Sequence, residues 1–188
     1  MKKTGLIILA LIVLVLILIT VFIWGSYNKL IVGKEGVGNA WSQVETQYQR
    51  RFDLIPNLVE SVRGAMKQEE TIFTALAEAR TRYAGASTQN EKALAAGQVE
   101  SAFARLLVVM ENYPTLKSSE QVATLMSQIE GTENRVSVER GRYNENVRSY
   151  NLLTKRFPSS LVASLFGFEA GSYFEAESGA SSAPKVQF

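Results

Sequence analysis

The sequence predicts an all-α protein. Its N-terminal transmembrane helix is followed by an antiparallel bundle of long helices of the four-helix type, the first two either separate or continuous through a proline kink. Three observations lead there. Residues Leu6 to Trp24 carry no charge and one polar side chain, Thr20. Asp53 is the sole aspartate among numerous glutamates, and Glu suits helix interiors where Asp prefers caps and turns. Beyond the apolar run, apolar residues recur at spacings of three and four, the stripe of an amphipathic helix.

The first element is the apolar run. At 1.5 Å per residue it extends about 28 Å, close to the hydrocarbon thickness of a bilayer. A cleaved secretory signal is the alternative, but its apolar region is shorter and ends in a small-residue cleavage site. The exit here, Phe22-Ile23-Trp24-Gly25-Ser26-Tyr27, has no Ala-x-Ala pattern, and Trp24 and Tyr27 suit an interfacial aromatic belt. An uncleaved anchor is therefore expected, with residues 1–5 on the cytoplasmic side, 6–26 spanning and 27–158 forming a helical-bundle domain. Lys2 and Lys3 precede the span, while Lys29 and Lys34 follow it with Glu35. The positive-inside rule then leans toward an extracytoplasmic domain, with the reverse orientation still open.

Four helical stretches follow. The first, about Tyr27 to Arg51, carries Ala40, Val44, Gln47, Tyr48 and Arg51 in helical phase; Gly33, Gly36 and Gly38 suggest a frayed neck. The second, about Asp53 to Tyr83, carries Leu54, Leu58, Val62, Met66, Phe73 and Leu76. Pro56 either follows an N-cap at Asp53 or kinks one continuous helix. Thr88 with Glu91 forms a capping box before the third helix, which ends ahead of Pro114. Ser118 with Gln121 forms a second box, and the last helix runs from about Ser119 to Phe157, ended by Pro158. Residues 159–176 form an aromatic segment that folds onto the bundle or docks on a partner. Residues 177–188 are rich in Ser, Ala and Gly and read as a disordered tail.

Composition narrows function. There is no Cys and no His, which removes disulfides, thiol catalysis, Cys/His zinc sites and Ser/His/Asp chemistry. The net charge of +2 comes from Lys2 and Lys3, so no basic stripe points to nucleic acid. Phosphate-binding glycine loops and a Gly-x-Ser-x-Gly elbow are missing. No cofactor, metal site or catalytic residue is expected.

Several segments resemble one family. Arg50-Arg51-Phe52-Asp53-Leu54-Ile55-Pro56-Asn57-Leu58-Val59 is similar to the core motif of the LemA family. The segments Glu111-Asn112-Tyr113-Pro114, Glu130-Gly131-Thr132-Glu133-Asn134-Arg135, Arg142-Tyr143-Asn144-Glu145 with Tyr150-Asn151, and Phe157-Pro158 before Leu165-Phe166-Gly167-Phe168 follow in family order over residues 25–176. The resemblance implies a bacterial, single-pass, membrane-anchored helical bundle at the cell membrane, with no settled enzyme chemistry. It also implies partners that include membrane metallopeptidases, and it assigns no residue a role.

The residues supply their own candidates. Arg51, Asp53, Asn57, Glu130 and Glu133 are expected to form a structural polar cluster that fixes helix register, with a ligand site as the alternative. Arg51 lies on the apolar stripe, and its charge needs a partner such as Glu130 or Glu133. Trp41, Tyr143, Tyr150, Phe166, Phe168, Tyr173 and Phe174 are candidates for an interface. The function read from all this is a non-catalytic membrane scaffold or binding module, with a homo-oligomer or a membrane protein as partner. A structural element that organises the membrane and a Glu-dependent hydrolase are the alternatives.

Overall fold

The computed structural model describes residues 2–174; the expected disordered tail at 177–188 lies outside the described residues. Among these residues six helices run in chain order: α1 (Lys2–Arg63), α2 (Glu70–Gly85), α3 (Gln89–Met110), α4 (Pro114–Lys117), α5 (Glu120–Lys155) and α6 (Ser159–Leu165). No strand occurs among the described residues, so the fold is all-α. The chain divides into two compact units. One holds the residues up to Ala40 with Tyr143–Tyr173, the other Trp41–Arg142 with Phe174. Each therefore holds part of α1 and part of α5.

In the first unit the apolar run of α1 is bare. Leu6 through Leu18 are about half exposed or more, and Trp24 is 69% exposed. Burial begins at Ser26 and continues at Leu30 and Val37. The hydroxyl of Thr20 donates to the Leu16 carbonyl at 2.8 Å, so the run's one polar side chain is satisfied within its own helix. Further along, α5 lies antiparallel to α1 at close range. A Cβ built on Gly33 would stand 3.2 Å from both Tyr150 Cδ2 and Leu153 Cδ1, and one on Gly36 would stand 3.3 Å from Asn146 Oδ1. The expected frayed neck is therefore an unbroken helix. Gly33 makes room for the close approach of a neighbour, and that packing offsets its cost of roughly 1 kcal/mol against Ala.

The second unit is an up-down-up-down four-helix bundle, a direction that individual contacts establish. Tyr48 and Phe52 of α1 meet Tyr83, and Arg63 meets Phe73, so α2 runs back along α1. Glu45 pairs with Lys92 and Arg51 with Glu100, so α3 runs parallel to α1. Tyr48 meets Arg140 and Arg51 meets Glu133, so α5 runs antiparallel. The unit's core positions on α1 repeat every seven residues: Val44, Arg51 and Leu58 in one line, Trp41, Tyr48, Ile55 and Val62 in the other. On α5, Val122, Ile129 and Val136 follow the same period. The helix α3 is also long and apolar enough to span a bilayer. Its apolar face, however, is bundle core, with Ala96, Val99, Phe103 and Leu106 buried.

Several boundaries differ from expectation. Pro56 lies inside α1, which continues to Arg63. The expected second helix is interrupted at residues 64–69, where Met66 N–H donates to Val62 O at 3.0 Å and Glu69 N–H to Met66 O at 3.0 Å. Met66 fills the turn and is fully buried, so the apolar stripe keeps its phase across a chain reversal. The Thr88–Glu91 capping box is present in full. The second box is not: the Ser118 hydroxyl donates to Thr115 O at 3.0 Å, and Ser119 Oγ accepts from Val122 N–H at 3.5 Å. Beyond Pro158 the chain is helical again as α6, which includes Leu165. It ends in a Schellman turn, with Phe168 N–H on Ala163 O at 2.9 Å and Gly167 at φ +70°.

Candidate functional site

Arg51 occupies a core position of the α1 heptad line and is only 6% exposed. Its guanidinium pairs closely with Glu133 of α5 and lies 3.4 Å from Glu100 of α3. It also stands 5.7 Å from the centroid of the Phe103 ring. Glu100 pairs in turn with Arg140 of α5 at 3.7 Å. Arg140 covers Tyr48 at 5.6 Å and Phe174 at 5.1 Å, and Phe174 stacks on Trp41 at 5.4 Å. Two cations and two carboxylates thus alternate across α1, α3 and α5, inside a collar of aromatic rings. A buried charge needs such pairing, because its desolvation is otherwise unrecovered.

The same environment acts on the phenols. Burial holds Tyr48 well above the ordinary tyrosine value, with the Glu100 charge adding to it. Tyr83 is pushed up to about 12 by burial, with Glu45 adding. Its hydroxyl is buried and meets no hydrogen-bond partner among the described residues.

Of the five residues expected to cluster, Arg51 and Glu133 meet. Asp53 points outward, accepting from Gln49 Nε2 at 2.8 Å and standing 3.8 Å from Arg80. Asn57 and Glu130 are exposed. The polar centre is completed instead by Glu100 and Arg140, which the sequence reading missed. Both carried a signal. Glu100 follows Ala96 by four and precedes Phe103 by three, and Arg140 stands likewise between Val136 and Tyr143, so each is a charge on an apolar stripe.

Two shallow grooves run along the α1–α5 seam. One, of about 540 Å³, is lined by Arg50, Asp53, Leu54, Ser127, Gln128, Gly131, Thr132 and Arg135. The other, of about 790 Å³, is lined by Asn57, Glu60, Ser61, Glu120, Gln121, Thr124 and Leu125. The Arg50–Val59 segment and the Glu130–Arg135 segment therefore face each other across open, polar surface. Among the described residues no group of Asp or Glu side chains is arranged to hold a metal ion.

The expected interface residues divide. Trp41, Tyr143 and Tyr150 are buried within the chain. Tyr143 donates to Ser172 O at 3.0 Å, and the Asn151 side-chain amide bonds both Gly171 O at 2.9 Å and Gly171 N–H at 2.7 Å. Phe166 and Phe168 set their edges against Tyr27, at 5.0 and 5.6 Å. Phe166 and Tyr173 keep about half of their surface exposed.

The sequence pattern of the LemA family matches residues 40–188, most of the chain. The chain belongs to the LemA family. Curated proteins similar to it include "Magnetosome protein MamQ 2" and "Magnetosome protein MamQ 1" of Paramagnetospirillum magneticum, each 26% identical over 79% of this chain and 64% of its own length. "Magnetosome protein MamQ" of Magnetospirillum gryphiswaldense is 25% identical with the same coverage. The chain thus spans less than two thirds of the length of these relatives. The LemA match takes in the ionic centre and both segments that line the seam.

Proposed function

We propose that this membrane-associated LemA-type protein is a single-pass anchored scaffold. It presents a helical bundle to macromolecular partners and has no catalytic role of its own. The observation that carries the reading is the apolar run of α1, none of which is buried in the fold. An exposed apolar surface of that length needs a hydrocarbon environment, and residues 6–26 acting as the span would supply it. Confinement to the bilayer plane raises the effective concentration of partners that share it. The body, residues 27–158 with the aromatic segment folded on it, offers the polar seam between α1 and α5 as its contact surface. A second copy or a membrane protein, a membrane metallopeptidase among them, is the partner class. The side is extracytoplasmic, by the charge balance around the span.

The full chain purified in mild detergent tests this by light scattering after size separation. The expected result is a multiple of the 20.8 kDa protomer or a stoichiometric companion. A monomer at every concentration, with no companion, overturns the scaffold. Protease added to intact cells is expected to remove the body and leave the anchor. The similarity to magnetosome proteins favours a second reading, a structural element that organises the membrane itself. Liposomes reshaped by the purified chain without any partner would select it.

A further inference from the structure

We propose that α6 and the turn after it form a foot that lies on the bilayer surface, with Leu161, Leu165 and Phe166 set among the lipid headgroups. The inference rests on α1 spanning the same bilayer. Its basis is where the first unit places these side chains. Tyr27 comes one turn after Trp24, about 4.5 Å further along the helix axis, so it stands at the interfacial level if the run is the span. The rings of Phe166 and Phe168 pack on Tyr27 at 5.0 and 5.6 Å, which brings the end of α6 to that level.

The two faces of α6 are sharply different. Val162 and Ala163 are buried at 3% and 2% exposure, whereas Leu161 and Leu165, one turn apart, are exposed by 63% and 71%. Phe166 is exposed by 50%. Phe166 ties this exposed face to Tyr27, on the helix that carries the bare apolar run, and the occupant that would cover both is the bilayer. The foot is held rather than loose. The single proton of Ser159 Oγ is shared between Leu153 O at 2.7 Å and Arg156 O at 2.8 Å, and the Schellman turn at Gly167 fixes the far end. Exposed Lys29, Lys155 and Arg156 belong to the segments beside it and suit anionic headgroups.

The chain has no cysteine, so single probes can be placed without background. The full-length variants Leu161→Cys, Leu165→Cys, Ile12→Cys and Glu145→Cys, each labelled with the same small fluorophore, are reconstituted into phosphatidylcholine–phosphatidylglycerol vesicles. Nitroxide lipids quench at shallow or deep positions. Ile12 is expected to lose emission to deep nitroxides, Leu161 and Leu165 to shallow ones, and Glu145 to neither. Quenching at Ile12 with Leu161 and Leu165 as unquenched as Glu145 overturns the foot and leaves the anchor intact. No quenching at Ile12 overturns the anchor and the foot with it. Blue-shifted but unquenched emission at Leu165 assigns the face to a second copy and also overturns the foot. All four positions are solvent-exposed in the fold, so none of the substitutions removes a core side chain.

Discussion

A cation at the centre of an apolar heptad line asks more of its neighbours than any other residue in this chain. Arg51 is paired by Glu133 and Glu100. The two carboxylates respond differently to its loss: Glu133 is half exposed and can rehydrate, while Glu100 is largely buried but retains Arg140. Arg51→Ala is therefore expected to cost about 2–4 kcal/mol, through lost packing as well as lost pairing. Arg51→Met, which restores an apolar heptad position, is expected to cost much less, with register rather than stability as the casualty. Urea midpoints of the detergent-solubilised protein separate the two, and equal losses would show that charge pairing is the dominant contribution. Tyr83 supplies a pH dependence of known sign. Its folded value near 12 exceeds the ordinary phenol value of 10.0, so above pH 10 the unfolded chain sheds its proton first. Stability is fully present below pH 10 and falls as pH rises toward 12. Tyr83→Phe removes both this slope and a buried unpartnered hydroxyl. The variant is expected to melt at or above the parent temperature at neutral pH and to lose less stability between pH 10 and 12, the rest of the loss belonging to Tyr48 and the other buried phenols.

At the scale of elements, the sequence was legible where local chemistry decides and opaque where tertiary contact does. Thr88 and Glu91 announced the start of α3, because a capping box is a short-range pattern. Thr88→Ala is expected to cost about 1 kcal/mol, seen as a lowered melting temperature. Glycine propensity predicts a frayed neck because it is a local quantity. What offsets the propensity cost of Gly33 in α1 is the approach of Tyr150 and Leu153, more than a hundred residues later in the chain. Gly33→Leu is expected to push α5 away and lower the melting temperature by several degrees. Gly97→Ala, with open space around its Cβ position, is expected to hold or raise it. The break between α1 and α2 was hidden for a related reason. Met66 continues the stripe while capping the bundle end, so periodicity alone did not reveal a reversal. The ionic centre is half legible: Arg51, Glu100 and Arg140 each stand as a charge on a stripe, but which of them pair follows only from the bundle's pairing order.

For the whole molecule, the deciding quantity is the free energy of the apolar run in lipid. Sixteen of its residues from Leu6 to Trp24 are Leu, Ile, Val or Phe. At about 0.3–0.6 kcal/mol each they favour insertion by roughly 5–10 kcal/mol. A single charge at the centre costs about 2.5–3.5 kcal/mol on the same scale, less than that reserve. Leu14→Arg is therefore expected to remain with membranes after an alkaline carbonate wash. The double variant Leu11→Arg/Leu14→Arg consumes most or all of the reserve, and much of it is expected in the wash. None of the run is buried in the fold, where burial begins only at Ser26. The washed-out double variant should therefore keep the parent's helical spectrum once corrected for the run itself. Release of the single variant would mean that the run contributes far less than its composition implies. Retention of the double variant would mean that a second surface holds the protein to the bilayer, and the Leu161–Phe166 face is the first place to look.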